Sequence, residues 1–188
     1  MIKDLILKNR SYRRFLQDEK ISTGTLKELI ELARLSPSAA NLQPLKYILS
    51  NDEQKIQRIF TTLRWAGYLK EWPGPKEGER PSAYIIMLGD RRISENIYCD
   101  EGIAAQSILL GATEKGLGGC VIASVQRDAL QDALGIPGDF QIFLVLALGV
   151  PKETVVLEDL KEDVKYWRSE DGVHHVPKRS LDDIILNI

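Results

Sequence analysis

The sequence predicts one soluble domain of mixed α and β structure, and three observations carry that reading. Its 188 residues suffice for one sizeable core. Amphipathic helical patterns alternate with short apolar runs of strand length. No stretch has the composition of collagen, a coiled coil, a disulfide scaffold or extended disorder.

Ile2 to Lys8 reads as a short amphipathic helix that leads into the basic segment Arg10, Ser11, Tyr12, Arg13, Arg14, Phe15. A stronger helix follows in STGTLKELIELARLSP. Leu26, Leu29, Ile30 and Ala33 share one face, Thr25 and Glu28 have capping-box spacing, and Pro37 limits extension beyond Leu35. The loop from Ser36 to Pro44 is rich in small polar groups. Lys46 to Leu49 reads as a strand, and Asp52 opens a helix reaching Leu63 with Ile56, Ile59, Phe60 and Leu63 as its apolar set.

Gly67 to Pro81 gathers glycine, proline and charge around Trp72, the composition of a loop or lid. Ala83 to Leu88 is a buried-strand candidate. Asp100 to Lys115, apolar on most sides with many small residues, implies a central helix in the core of the domain or of a dimer. Gly118 to Ala123 and Gln141 to Leu148 are further strands, with a short helix from Gln126 to Leu134 between them. After Pro151 apolar density falls, and charged clusters precede a last apolar stretch, Leu181 to Ile188. A tail this long needs a surface to pack against.

Lysine and arginine number 25 against 27 aspartate and glutamate, a formal net charge of −2. No global field draws such a chain onto nucleic acid or an anionic membrane, so any anion must be held locally. The amino terminus, with Lys3, Asp4 and Lys8 interrupting its apolar stretch, does not read as a signal peptide. The longest apolar run, Phe140 to Val150, is roughly half the ~20 residues that span a bilayer. Cys99 and Cys120 sit far apart in apolar segments, which fits a reducing cytoplasm. The expectation is a cytoplasmic protein with no nucleic-acid and no membrane partner.

Several motifs fail on inspection. Gly116, Leu117, Gly118 begins like a dinucleotide fingerprint, but Val121 stands where the third glycine belongs, and the segment leads into a strand rather than out of one. Gly111 and Gly116 have the outer spacing of a P-loop, yet Leu117 replaces its lysine. There is no G-x-S-x-G elbow and no paired CxxC, and His174 and His175 are adjacent rather than spaced as a zinc pair. Neither a hydrolase triad nor a metal site is expected.

Three segments remain. Arg10, Arg13 and Arg14, with Ser11 among them, offer guanidinium forks and a hydroxyl to one phosphate; the alternative is a solvated basic face at a helix end. Ser36 to Pro44 offers the amides of Asn41 and Gln43 among neighbours small enough to let a ligand approach, or is an ordinary helix-terminating turn. Pro177, Lys178, Arg179 is another positive site, or a solvated charge pair.

Taken in order, RSYRRF at 10–15, SPSAANLQP at 36–44, GLGGCVI at 116–122 and PKRSL at 177–181 resemble the nitroreductase family of FMN enzymes, and the resemblance covers essentially the whole chain. It implies an α+β fold, a mostly antiparallel central sheet surrounded by helices, in an intertwined homodimer with two FMN sites at its interface. The whole chain, 1–188, would be one FMN-binding domain, with 151–188 an extension packing on the partner subunit. NADH or NADPH would reduce the flavin, and a small organic acceptor such as a nitroaromatic or quinone would reoxidise it by a ping-pong mechanism.

By the same resemblance Arg10, Ser11 and Arg13 hold the FMN phosphate, with Lys178 and Arg179 assisting from the tail. Pro37, Ser38, Asn41 and Gln43 approach the same flavin from the other subunit, and the backbone at Gly118 and Gly119 lies against the isoalloxazine ring. No side chain need act as acid or base, since the chemistry belongs to the flavin. Arg13 is also a candidate for stabilising the reduced ring. Tyr68 and Trp72 either cover the flavin or pack their loop onto the core, and His174 and His175 read as interface or tail residues. Three departures bear on the pocket. Asn9 stands where many relatives carry a second arginine, so that contact is missing or comes from Arg14 or Lys178; Leu45 and Val121 replace common aromatics. Dehalogenation, enone reduction, heterocycle oxidation and flavin binding without catalysis are the other readings of the same scaffold.

Overall fold

A computed structural model describes residues 1–186 of the chain, so Asn187 and Ile188, the end of the predicted Leu181–Ile188 stretch, lie outside the described residues. The elements run α1 (Ile2–Lys8), β1 (Phe15–Leu16), α2 (Thr23–Arg34), β2 (Leu45–Ser50), α3 (Glu53–Phe60), β3 (Ala83–Asp90), α4 (Asp100–Glu114), β4 (Gly118–Ile122), α5 (Arg127–Leu134), β5 (Phe140–Pro151), β6 (Val155–Asp159), β7 (Trp167–Arg168), β8 (His174–Lys178) and α6 (Leu181–Ile184). The fold is α+β, and every pairing in the main sheet is antiparallel.

The apolar run AYIIMLGD lacks alternation because β3 is buried on both faces. Ala83, Ile85 and Met87 join Leu26, Leu29, Ala33 and the α4 residues Ala104, Ala105, Ile108 and Ala112 in one core. Tyr84, Ile86 and Leu88 point the other way, toward Ile59, Leu130 and Ile136. Strand β5 runs beside β3 along one edge and takes both β4 and β1 along the other. This arrangement delivers the amino-terminal basic segment to the end of β5 and the beginning of β4.

Most element ends shift by one to three residues from expectation, and two helix ends show the physical reason. Helix α2 starts at Thr23 because the Ser22 hydroxyl accepts the Thr25 amide at 3.0 Å, so the cap is Ser22 and not Thr25. Helix α3 stops at Phe60 rather than Leu63. Thr61 and Thr62 turn their hydroxyls back onto the carbonyls of Arg58 and Ile59, and Leu63 leaves to bridge Val125. Strands β1, β6, β7 and β8 were not expected at all. In the tail β8 pairs parallel with β6 and antiparallel with β7.

The tail returns to its own chain. The Lys152 amide donates to the Arg14 carbonyl at 2.9 Å, which keeps the residues after β5 alongside the basic segment. Past β8 the apolar side chains Leu181, Ile184, Ile185 and Leu186 are exposed. Among the described residues no helix is long and apolar enough to cross a membrane.

Where β1 crosses β5, a side chain at Gly149 would put its Cβ 2.7 to 2.9 Å from the Phe15 Cδ1, Cβ and Cγ atoms, and Phe15 is wholly buried. Gly149→Ala is therefore expected to cost ~1–3 kcal/mol, read as a lower urea midpoint at unchanged m-value. Gly138→Ala, where nothing lies within 4 Å, should stay within about 0.5 kcal/mol.

Candidate functional site

The basic segment is positioned through its backbone. Ser11 bridges Gly119, the Tyr12 amide donates to the Gly119 carbonyl at 3.0 Å, and the Phe15 amide donates to that of Glu79 at 2.9 Å. Between these points one oxygen of the buried Glu153 carboxylate accepts from the Arg13 and Arg14 amides, and the other accepts from the Arg168 guanidinium at 2.8 Å. A buried carboxylate is tolerated when its lone pairs are taken this way.

Extended backbone sends successive side chains to opposite sides. Arg14 forks onto the buried Glu79 at 2.9 and 2.7 Å, and that pairing holds the Glu79 carboxyl below its usual range. Arg14 is thus committed, which removes it as a substitute for the arginine absent at Asn9. Arg13 faces the other way, into an open groove of about 330 Å³ that Arg10, Ser11, Gly119 and Lys178 also line.

This groove holds positive charge without a counter-ion. Among the described residues Arg10, Arg13 and Lys178 form no ion pair. Arg10 gives one Nη to the Ile6 carbonyl at 2.6 Å, while its buried Nε has no partner. Burial lowers the Arg10 pKa, an effect Tyr12 partly opposes. Arg13 sits 4.8 Å from the centre of the Tyr166 ring and within 3.3 Å of His174 Nε2. The His174 pKa is pushed down to about 4, first by burial and then by Arg13, Arg168 and His175. The imidazole is therefore neutral. Because a guanidinium can only donate, Nε2 is the acceptor and the ring proton sits on Nδ1, which is buried without a partner.

A second groove of about 300 Å³ shares Arg13, Val121 and Tyr166 with the first and continues past them to Arg64, Trp65, Gly67 and Ser124. The two make one trough, with Arg10 and Lys178 at one end, Arg13 and Tyr166 at the middle, and the Trp65 ring beside Arg64 at the other, aromatic end. Cys120 lies at its wall, with burial pushing the thiol pKa up, so it is no nucleophile.

Other residues singled out from the sequence are placed elsewhere. Ser38 donates to Asp100 at 2.6 Å and accepts the Gln43 amide at 2.9 Å, and Asp100 also takes the Ala39 amide at 2.9 Å. This loop holds Ala40, Asn41 and Gln43 at φ of 48°, 54° and 53°, a left-handed conformation uncommon outside glycine. Pro37, Ser38 and Gln43 line a different groove, against Tyr47 and Asp100, so one chain does not bring them to Arg10. Asn41 is exposed, as is Arg179 just past β8. Gly118 is buried against Tyr12 and Pro151. Gly119 lines the groove, but a Cβ there would meet Leu109, Leu148 and the Ala147 carbonyl, so packing alone requires glycine. Tyr68 packs on Tyr166 and Trp72 under Arg168, tying their loop to the tail.

Sequence reasoning missed Gln106, Tyr166 and Glu153, and left His174 in the tail. Strand parity separates the two histidines: His174 turns inward, while His175 stacks on Trp167 at 3.9 Å.

Residues 6–150 match the profile of the Nitroreductase family. An Archaeoglobus fulgidus protein described as an NADH dehydrogenase/NAD(P)H nitroreductase is 29% identical over 157 residues, covering 79% of this chain and 84% of its own. The iodotyrosine deiodinase of Thermotoga neapolitana is 24% identical over 170 residues, 81% of this chain and 90% of its own. The structure of an FMN-dependent nitroreductase from Clostridium difficile R20291 superposes with a TM-score of 0.65 at 24% identity, covering 81% of this chain and 88% of that one.

Two measurements check this geometry. Glu153→Ala strands two backbone amides and Arg168, and should cost ~3 kcal/mol in urea denaturation, whereas Glu153→Gln, which keeps an acceptor, should cost less. In flavin- and phosphate-free buffer, unfolding free energy should fall as pH drops from 6.5 towards 4, because the unfolded chain binds a proton that the folded His174 refuses. Glu79 and Asp90, whose folded pKa values are lowered, lose stability only below about their ordinary range near 4, so His174→Gln should flatten the upper window.

Proposed function

This chain belongs to the nitroreductase family, and on that premise we propose that it is an FMN-dependent oxidoreductase that takes electrons from NADH or NADPH and passes them to a small organic acceptor. The observation that carries the reading is the groove itself: three cations without a counter-ion among the described residues, one with an orphaned buried donor, on a chain of net negative charge. Such a site fits a phosphate monoester held by charge-assisted hydrogen bonds. Arg10, Ser11, Arg13 and Lys178 would hold it, with Arg179 within a residue of Lys178. The aromatic end, with Trp65 and the backbone at Ser124, would receive the ring.

FMN supplies the hydride and electron chemistry when bound. The chain supplies position and field. Arg13, common to both halves of the trough, would hold the phosphate and lend positive charge towards the half that would receive the ring, and Tyr166 and Val121 would bound the width available to donor and acceptor. Donor and acceptor take turns at one opening, a ping-pong scheme, and no acid or base side chain is required.

The second loop and the tail call for a second copy of the chain. Asn41 and Gln43 present exposed amides on a braced, left-handed turn, and Leu181, Ile184, Ile185 and Leu186 are apolar and uncovered. In a homodimer the loop with Pro37, Ser38, Asn41 and Gln43 would complete the partner's flavin site, and of the extension 151–188 the exposed apolar stretch past β8 would pack on the partner, the part before it lying against its own chain. The two free cysteines fit a reducing cytoplasm. Nitroaromatics and quinones are the acceptors proposed; the deiodinase relative adds halogenated tyrosines as the alternative to assay beside them.

After addition of FMN and desalting, the protein should retain yellow colour that bleaches on anaerobic titration with NADH or NADPH; failure to retain flavin overturns the assignment. Arg10→Ala should weaken FMN by about 10- to 100-fold while leaving riboflavin, which lacks the phosphate, nearly unaffected.

A further inference from the structure

We infer that His174 is a further ligand of the cofactor phosphate, its ring donating to the anion beside Arg13. The inference rests on reading this groove as the FMN phosphate site. His174 lines it together with Arg10, Ser11, Arg13 and Lys178. Its ring is poorly satisfied there: Nε2 accepts from Arg13 Nη1 over a long 3.3 Å, and Nδ1 is buried with no partner. A phosphate oxygen seated between Arg13 and the imidazole replaces that contact with two donors on one anion.

The groups facing His174 explain why it waits for the anion. The amino-terminal segment presents Arg13. Strand β7 presents Arg168, directly across from His174 in register and already matched by Glu153. Strand β8 itself brings His175 and, further along, Lys178. The Tyr166 ring lies 5.1 Å away, and just ahead of β6 the Thr154 carbonyl accepts the His174 amide at 2.9 Å, next to the Glu153 carboxylate that pairs with Arg168. Burial foremost, then the charges of Arg13, Arg168 and His175, hold the imidazole neutral, its pKa pushed down to about 4. A phosphate dianion reverses the sign of that electrostatic balance. The imidazolium then provides a cationic donor in a groove where Asn9 stands in the place of a second arginine.

The chain has two histidines, so proton NMR of the ring Cε1–H groups gives two signals, separated by His175→Gln. Titrations would be run on the protein alone, with saturating riboflavin and with saturating FMN. The His174 midpoint should stay below about 5 in the first two and rise by about two pH units or more with FMN. In parallel, the ratio of wild-type to His174→Gln affinity for FMN should grow about tenfold from pH 8 to pH 6. A midpoint within about half a unit of its riboflavin value, with FMN demonstrably bound, overturns this inference and leaves the cofactor assignment standing. Absence of FMN binding overturns both. Because the titration uses wild-type His174, a folding defect in His174→Gln does not blunt the test.

Discussion

The buried carboxylate of Glu153 pins the basic segment through its backbone and so sets where Arg13 and Arg14 point. It sits just past the end of β5, accepts the amides of Arg13 and Arg14, and takes the Arg168 guanidinium from the tail. By holding the basic segment through its backbone it leaves the arginine side chains free to diverge. Arg14 goes to Glu79 and closes the structure, and Arg13 goes to the groove and opens it to a ligand. The same three-way contact ties the tail sheet to the main sheet, so fold and site share one anchor.

Charge is local in this protein. A formal net charge of −2 hides a groove where Arg10, Arg13 and Lys178 have no counter-ion among the described residues. Partial burial of Arg10, whose Nε has no partner, is unfavourable in the empty protein, and that burial lowers its pKa. An anion offsets this, which couples cofactor binding to stability. The braced loop at Ser38 to Gln43 is a second place where unfavourable backbone is held, there by Asp100.

The main sheet and its helices were legible because their signals are local. Periodicity marked α2, the unbroken apolar run marked β3, and small residues on all sides marked α4. The tail sheet was not legible. Its strands are short, HHVPK carries a proline, and what makes them strands is pairing between segments about twenty residues apart. The order of four short motifs pointed to Arg10, Ser11, Arg13 and Lys178, which the structure gathers in one groove. The resemblance assigned Arg13 and kept Arg14 only as a substitute, but it did not distinguish His174 from His175, because their parity depends on the register of β8 against β6 and β7. Gly118 looked equivalent to Gly119, yet it is buried beneath Tyr12. Glu153 itself left no mark in the sequence: a lone glutamate becomes an anchor only when three distant donors converge on it.

The most direct test of the account is a crystal structure of the protein grown with FMN. The account predicts the phosphate in the groove of Arg10, Ser11, Arg13 and Lys178, with the ring extending past Tyr166 towards Trp65. A flavin phosphate bound at any other basic surface, with Arg10 and Arg13 still unpaired, would contradict it.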